Sequence, residues 1–428
     1  MRIFKFGGAS VKDAAGVRNI LNVVQTMGYN GLGIVVSAMG KTTNALEEII
    51  KLYLENNSRY LILIDHLFNQ HVKIVEDLEA SGADDEVLLR FRESGLKKEL
   101  KAILESLKGV MLLNQSKNHA FLYDQVVSYG EILSTKIVAS YFKAYGLPAQ
   151  WIDARNLIKT DQKYRDAAVN WKTTVASIKE NASHSLFLTQ GFIGSDDNWF
   201  TTTLGREGSD YTAAILAYAL DASDVTIWKD VPGVLNGDPR VFENTVLLEQ
   251  ISYREAIELA FYGASVIHPK TLQPLQGKQI ELRVKSFMNP LEKGTVIKKG
   301  PALYPMTSCY IVRKNLVFLE VSARDFSFIG EHNISDIFHQ LSEHKMQVGL
   351  LQNSAISFTI CLEDKYHNLS ELLNDLEERY KVSAIENVDL YTIRHHDDDA
   401  IEAIENGKKV LLRQRTQETL QLVVAGKE

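Results

Sequence analysis

Up to Ile297 this chain repeats one unit: a short apolar run fit for a buried strand, a loop of glycines, hydroxyls and lysines, then a helical pattern. Ile3-Phe4-Lys5-Phe6, Gly33-Ile34-Val35-Val36-Ser37, Leu186-Phe187-Leu188 and Val225-Thr226-Ile227-Trp228 are the strand-like runs. Strands alternating with helices specify a layered α/β fold, because each helix must cover an apolar face of the sheet. Open sheets of this kind bind ligands at the carboxyl ends of their strands. The loops after these runs are therefore where chemistry is to be sought.

Between residues 45 and 145 the pattern is helical instead, with charged stretches such as Arg90-Phe91-Arg92-Glu93 that read as solvated helix faces. This segment is expected to form a helical insertion over about 45–125, an arm or lid beside the site. Turn formers cluster at Lys298-Lys299-Gly300-Pro301 and Tyr304-Pro305, a candidate domain boundary. Beyond it a strand at Leu316–Val321, a helical face on Ile334, Ile337, Phe338 and Leu341, strands at Val348–Leu351 and Ile356–Leu362, a helix on Leu369, Leu372, Leu373 and Leu376 and a strand at Val382–Ile385 give the order β-α-β-β-α-β. A partial echo starts at Leu390–Ile393 and runs through Val410–Leu412 to Leu420–Val424; it stops after β-α-β-β, a truncated second unit.

A net charge of −7 over 428 residues argues against a broad nucleic-acid surface, which needs a basic surplus. No apolar run reaches membrane-spanning length and no signal-like core precedes Ile3, so a cytoplasmic protein without membrane partners is expected. Two cysteines, Cys309 and Cys361, are too few for a disulfide framework or a cysteine-rich zinc site, and no protein-held metal is expected.

The densest chemistry lies in Thr203-Leu204-Gly205-Arg206-Glu207-Gly208-Ser209-Asp210-Tyr211-Thr212, directly before the apolar run Ala213–Leu216. A loop feeding a helix N-terminus favours an anion; Arg206 adds a planar fork for a carboxylate or phosphate, and Asp210 a carboxylate that can position a cation. Ser209 and Asp210 would equally serve as helix caps. Lys5-Phe6-Gly7-Gly8-Ala9-Ser10-Val11 ends a strand in two glycines, which let backbone approach a phosphate, with a lysine as point charge. Ser37-Ala38-Met39-Gly40-Lys41-Thr42-Thr43-Asn44 repeats that arrangement, with capping by Thr43 or Asn44 as the alternative. Glu131, in Ser128-Tyr129-Gly130-Glu131-Ile132, is read at the head of a helix, where it could pair with an ammonium or simply cap. Lys229 to Arg240 forms a long loop with two turn signals, able to wrap a nucleotide. Together these loops point to an anion-rich small-molecule site, with ATP the obvious ligand.

The motifs at Lys5–Val11, Val36–Asn44, Gly130-Glu131, Leu204–Thr212, Asp230-Val231-Pro232-Gly233, Asp238-Pro239-Arg240 and His268-Pro269 occur in the order found in aspartate kinases, and the chain resembles that family. The resemblance implies a three-layer αβα amino-acid kinase fold with a mainly parallel sheet in residues 1–297, and α+β ACT-like, ferredoxin-like domains in 305–428. It implies transfer of the γ-phosphoryl group of MgATP to the side-chain carboxylate of L-aspartate, with ATP and Mg2+ as cofactors, magnesium being held through the phosphates. Lys5 and Asp210 would be catalytic. Arg206 would hold the substrate α-carboxylate and Glu131 its ammonium, with Ser37, Thr43 and Ser209 completing the pocket. Lys5, Gly7, Gly8, Lys229, Asp230, Leu235 and Arg240 would bind the nucleotide. A monofunctional homodimer is expected, joined through the ACT-like regions, with an amino-acid effector bound there.

Two departures from the family pattern stand out. Ser265 occupies a position where many relatives carry an ATP-holding lysine, which leaves Lys270 or Lys229 to supply that contact. Around Gly349 and Ser354-Ala355, where lysine-sensing members place acidic ligands, this chain has no carboxylate. A kinase for glutamate or an acylated amino acid, and a catalytically silent amino-acid sensor, are the competing readings.

Overall fold

The computed structural model describes the chain apart from residues 81–83, 183–184, 265–266, 301–302, 326 and 426–428. It divides into two compact units, Met1–Val234 with Leu247–Ile257 and Ile267–Leu303, and Leu235–Val246 with Glu258–Val266 and Tyr304–Glu428.

The first unit is built on a sheet that opens with β1 (Arg2–Phe6), β2 (Leu32–Val36), β3 (Gln150–Ile152) and β4 (Leu186–Gln190). Strands β5 (Ile193–Ser195) and β6 (Thr201–Thr203) form a separate antiparallel hairpin. The sheet is completed by β7 (Asp224–Lys229), β8 (Gln250–Ser252), β9 (Glu281–Ser286) and β10 (Thr295–Lys298). Its order is β3-β4-β2-β1-β7-β9-β10-β8, and every pairing is parallel except β9 with β10. The helices, in order, are α1 (Ala14–Met27), α2 (Thr42–Leu54), α3 (Arg59–Glu79), α4 (Asp85–Arg92), α5 (Leu96–Leu113) and α6 (His119–Ala144). They continue with α7 (Ala154–Leu157), α8 (Trp171–Asn181), α9 (Gly208–Ala219), α10 (Tyr253–Tyr262, counted in this unit as far as Ile257) and α11 (Pro269–Lys278).

Alternation along the strands decides which side chain meets which layer. Phe4 and Phe6 of β1, Ile34 and Val36 of β2, and Leu186 and Leu188 of β4 share one core with α1 and the C-terminal half of α6. Fully buried side chains of this kind contribute roughly 1.5–3 kcal/mol each. Lys5, between the two phenylalanines, is sent to the opposite face, which α9 covers. The helical insertion carries its own core, in which α2, α3 and α5 pack on the start of α6 through Leu46, Ile64, Leu107 and Val126. Within the charged run of α4 only Leu88 and Phe91 are buried.

The second unit contains β11 (Cys309–Ala323), α12 (Glu331–Glu343), β12 (Gln347–Asn353), β13 (Ser357–Glu363), α13 (Leu369–Glu377), β14 (Tyr380–Arg394), α14 (Asp398–Glu405), β15 (Val410–Arg415) and β16 (Thr419–Val424). They form one antiparallel six-stranded sheet, β12-β13-β11-β14-β16-β15. Val382–Ile385 and Leu390–Ile393, read from the sequence as separate strands, are parts of a single 15-residue strand. The exposed Glu386 and Asn387 between them mark an irregularity, with Asn387 at φ 57°, rather than a turn. Cys309–Arg313, upstream of the first half, pairs with Leu390–Arg394 and supplies the second half with a strand. Packing on α12 and α13 builds the first half's core around Leu319 and Ile360, and packing on α14 builds the second's around Ile393 and Leu422. Among the described residues no helix is long and apolar enough to cross a membrane.

Candidate active site

Parallel pairing sets Lys5 beside Val35 and Ile227, so the loops after β1, β2 and β7 leave the sheet side by side. They bound a cavity of about 640 Å3 that α6 and the β6–α9 loop complete. Lys5, Gly8, Ser37, Thr43, Glu131, Arg206, Ser209, Asp210 and Lys229 all line it, bringing together residues that the sequence spreads from one end of the first unit to the other.

Lys5 Nζ lies 2.6 Å from Asp210 Oδ1, with the side chains 12% and 5% exposed. Asp210 is in the first turn of α9, where the helix dipole favours negative charge. The capping alternative is not realised: Glu207 occupies the cap position at φ 53° without a side-chain cap bond, and Ser209 and Asp210 lie inside the helix. Glu207 Oε2 instead accepts from the His268 N–H at 2.8 Å. Lys270 Nζ donates to Asp166 Oδ1 at 2.8 Å and to the Leu204 carbonyl at 3.0 Å, so α11 braces the arginine loop twice. These bonds engage Lys270, while Ser265 lies outside the described residues.

Glu131 is not at a helix head. It sits in the middle of α6, which starts at His119 with Asn118 as its cap. The apolar pattern runs unbroken through Leu122, Val126 and Val127, and Gly130 does not end the helix because its role is close packing. A Cβ there would come 2.9 Å from Thr42 Cγ2 and 3.1 Å from the Ala38 Cβ. Glu131 is 3% exposed, and its Oε2 has no hydrogen-bond partner among the described residues. Burial pushes its pKa up to about 8, opposed by backbone N–H groups including that of Ala38. The other wall holds α2, whose cap position is Lys41 without a side-chain bond, so Thr43 is not a cap either.

Beneath Lys5 the glycine loops pack on one another. Gly40 N–H donates to the Gly8 carbonyl at 3.1 Å, and a Cβ on Gly8 would come 3.0 Å from the Ala38 carbonyl oxygen. Gly7 does not line the cavity, yet a Cβ on it would approach Lys5 Nζ to 3.2 Å. Asp230 is exposed, one residue past β7. Leu235 and Arg240 belong to the second unit, where Arg240 Nη2 pairs with Asp238 Oδ2 at 2.6 Å. Among the described residues no cluster of three or more His, Cys, Asp or Glu could hold a metal ion.

Arg165, Tyr123 and Phe192 also line the cavity and were not anticipated. Arg165 lies in a polar run without a strand-end motif, so only its place in the fold reveals it. Behind it is Asp124, two turns before Glu131 on α6 and fully buried. Its carboxylate accepts from the Arg165 N–H at 3.1 and 3.0 Å, the Thr203 N–H at 2.8 Å and Thr203 Oγ1 at 2.8 Å. Burial pushes Asp124 up to about 6 against these donors.

The arrangement is a cleft with a buried lysine–aspartate pair over glycine loops, an open buried carboxylate and two arginines. It suits an anionic nucleotide beside a zwitterionic acid. Comparison with known proteins agrees with that chemistry. The amino acid kinase family model matches residues 1–286. The lysine-sensitive aspartokinase 3 of Escherichia coli (strain K12) is 31% identical over 365 residues, covering 84% of this chain and 78% of that protein. The chloroplastic aspartokinase 1 of Arabidopsis thaliana is 30% identical over 406 residues, covering 90% and 68%. Among solved structures, E. coli aspartokinase III in complex with lysine and aspartate (T-state) superposes with a TM-score of 0.81 at 26% identity, covering 100% of this chain and 96% of that one. The same enzyme with aspartate and ADP (R-state) gives a TM-score of 0.80, with the same identity and coverage. By its fold, its site and these relatives, the chain belongs to the amino acid kinase family, on its aspartokinase branch.

Proposed function

We propose that this chain phosphorylates the side-chain carboxylate of L-aspartate with ATP, giving 4-phospho-L-aspartate and ADP. The observation that carries the reading is the Lys5–Asp210 pair over the glycine loops in one cavity with Glu131 and Arg206. A carboxylate oxygen of aspartate forms the bond to the γ-phosphorus as the bond to the ADP oxygen breaks. The acceptor is already ionised at neutral pH, so no general base is required. The protein's part is alignment and charge stabilisation. Lys5 meets the charge of the transferring group, and Asp210 holds that ammonium in place. Gly7 and Gly8 let backbone lie beneath the phosphates, while Lys229 and Asp230 flank the nucleotide at the end of β7. Arg206 pairs with the substrate α-carboxylate and Glu131 with its ammonium, and the hydroxyls of Ser37, Thr43 and Ser209 close the pocket. Magnesium would be carried on the ATP phosphates and would supply further charge neutralisation, with Asp210, the cavity carboxylate paired with Lys5, available to help hold it.

Residues 1–297 act in this reading as the catalytic region and 305–428 as an ACT-like regulatory region that binds an amino-acid effector. A relative solved with lysine supports an amino-acid ligand. At Gly349, however, no side chain is present to receive a lysine ammonium, and a Cβ there would come 2.8 Å from Arg313 Nη1, so the end of that arginine would have to shift. The edge strand β12, with Leu351 exposed, offers a second copy a surface for homodimer formation.

The test is ADP release from ATP and magnesium with L-aspartate, L-glutamate or no acceptor, in the wild type and in Lys5→Ala. Aspartate-dependent turnover lost in the variant is expected; a wild type without it refutes the reading.

A further inference from the structure

The charges lining the cavity do not all cancel. Lys5 and Asp210 neutralise each other, and Glu207 is engaged by the His268 N–H. Lys229, at the end of β7, belongs to the nucleotide side. What remains is the carboxyl group of Glu131 and the guanidiniums of Arg206 and Arg165. Among the described residues neither arginine forms a direct ion pair, and the Asp124 carboxylate behind Arg165 acts on its charge only at longer range while its oxygens hold backbone N–H groups and the Thr203 hydroxyl. Two cations and one carboxyl group that an incoming ammonium ionises are the complement of an amino-dicarboxylic acid, which carries two carboxylates and one ammonium.

Arg165 is built into this position. Its φ of 72° lies in the left-handed region, disfavoured for a long side chain. The conformation is held because both Asp124 oxygens take the Arg165 N–H, at 3.1 and 3.0 Å. Its guanidinium carbon stacks 4.1 Å from the centroid of the Tyr123 ring, and Tyr123 Oη in turn donates to Glu47 Oε1 at 3.0 Å. The neighbouring Asp166 is drawn off to Lys270, so the loop separates its two charges. Asp124 also grips Thr203, and the Ala167 N–H donates to the Thr203 carbonyl at 2.9 Å. The segments carrying Arg165 and Arg206 are thus fixed on one bracket.

We propose that Arg165 is a specificity-determining residue that receives one carboxylate of the amino-dicarboxylate substrate while Arg206 receives the other. The proposal rests on the aspartate-kinase reading above. An arginine fork suits a carboxylate, and two at the cavity mouth would both attract a dianionic side and select against monocarboxylic amino acids.

The experiment uses the full chain with Arg165→Gly, since glycine adopts this φ without strain and the fold is retained. A thermal melt confirms folding, and Arg165→Lys tests charge without the fork. In Arg165→Gly the KM for L-aspartate should rise at least about tenfold while the KM for ATP stays within about twofold, with Arg165→Lys in between. L-asparagine and its α-amide isomer then serve as competing ligands. The analogue lacking the carboxylate that Arg165 reads binds variant and wild type alike; the other binds the variant more weakly. An unchanged KM for aspartate, or a loss shared equally by ATP or by both analogues, overturns the proposal alone. A wild type without aspartate turnover overturns the underlying reading and the proposal with it.

Discussion

Lys5 on the first strand and Asp210 in the first turn of α9 meet at 2.6 Å in the floor of the cavity. The pair exists because strand alternation turns Lys5 away from the phenylalanine core and toward the helix layer that carries Asp210. Lys5→Met should lower kcat by about 10²–10³-fold, the scale of losing one charge-stabilising group. It should also destabilise the fold, since a buried carboxylate left unpaired costs roughly 3–5 kcal/mol. Adding Asp210→Asn should recover most of the melting temperature and none of the turnover. Equal melting of the single and double variants would show that the pair has no structural part.

The buried Glu131 makes stability depend on pH. Burial raises its pKa from 4.5 to about 8, so between those values the folded protein holds a proton that the unfolded chain releases. Its contribution is complete below the unfolded value and is lost as pH rises through about 8. Glu131→Gln removes the titration, so the melting temperature of the variant relative to wild type should climb between pH 5 and pH 8.5. A difference that stays flat with pH would exclude this. An incoming ammonium favours the ionised form, so calorimetry at pH 7 in buffers of different ionisation enthalpy should record proton release when aspartate binds.

Part of this site is legible in the sequence because its chemistry sits where a local rule applies. Lys5, Gly8, Ser37 and Lys229 end apolar runs, and Asp210 opens a helix, so pattern alone places them at strand ends and a helix start. Glu131 obeys no such rule: Gly130 looks like a helix boundary and is instead a contact point between α6 and the Thr42 segment. Arg165 and Asp124 depend on tertiary hydrogen bonds that no spacing announces. In the second unit the alternating strands were readable, but the continuity of β14 was hidden by the polar Glu386 and Asn387, whose irregular backbone keeps the strand in the sheet.

The two lysines named in connection with Ser265 should separate kinetically. Lys270 is spent on Asp166 and the Leu204 carbonyl, whereas Lys229 lines the cavity beside Lys5. Lys270→Met should therefore raise the KM for aspartate several-fold, by loosening the loop of Arg206, with little effect on ATP. Lys229→Met should do the reverse. Initial rates with each substrate varied in turn decide the matter, and a larger ATP effect from Lys270→Met would reassign that residue to the nucleotide.

Asp124 gives the sharpest test of how the two arginines are placed. Its oxygens accept only from donors, the Arg165 N–H and the Thr203 N–H and hydroxyl, at 2.8 to 3.1 Å. In Asp124→Asn the amide oxygen at the Oδ2 place can still accept both N–H groups, but the amide NH2 at the Oδ1 place takes away the second acceptor of the Arg165 N–H and forces the Thr203 hydroxyl to reverse, at a cost of about 1–3 kcal/mol. The side-chain volume is unchanged and the core around Leu122 and Val126 is untouched, so the protein should fold with a lowered melting temperature. Both arginine-bearing segments should then exchange amide hydrogens faster, at residues 163–167 and 203–208, while β1 and β7 keep their protection. The KM for aspartate should rise because two guanidiniums are misplaced together, and adding Arg165→Gly should raise it by less than that substitution does in the wild type. Fully additive effects would mean that Asp124 stabilises the fold without positioning Arg165.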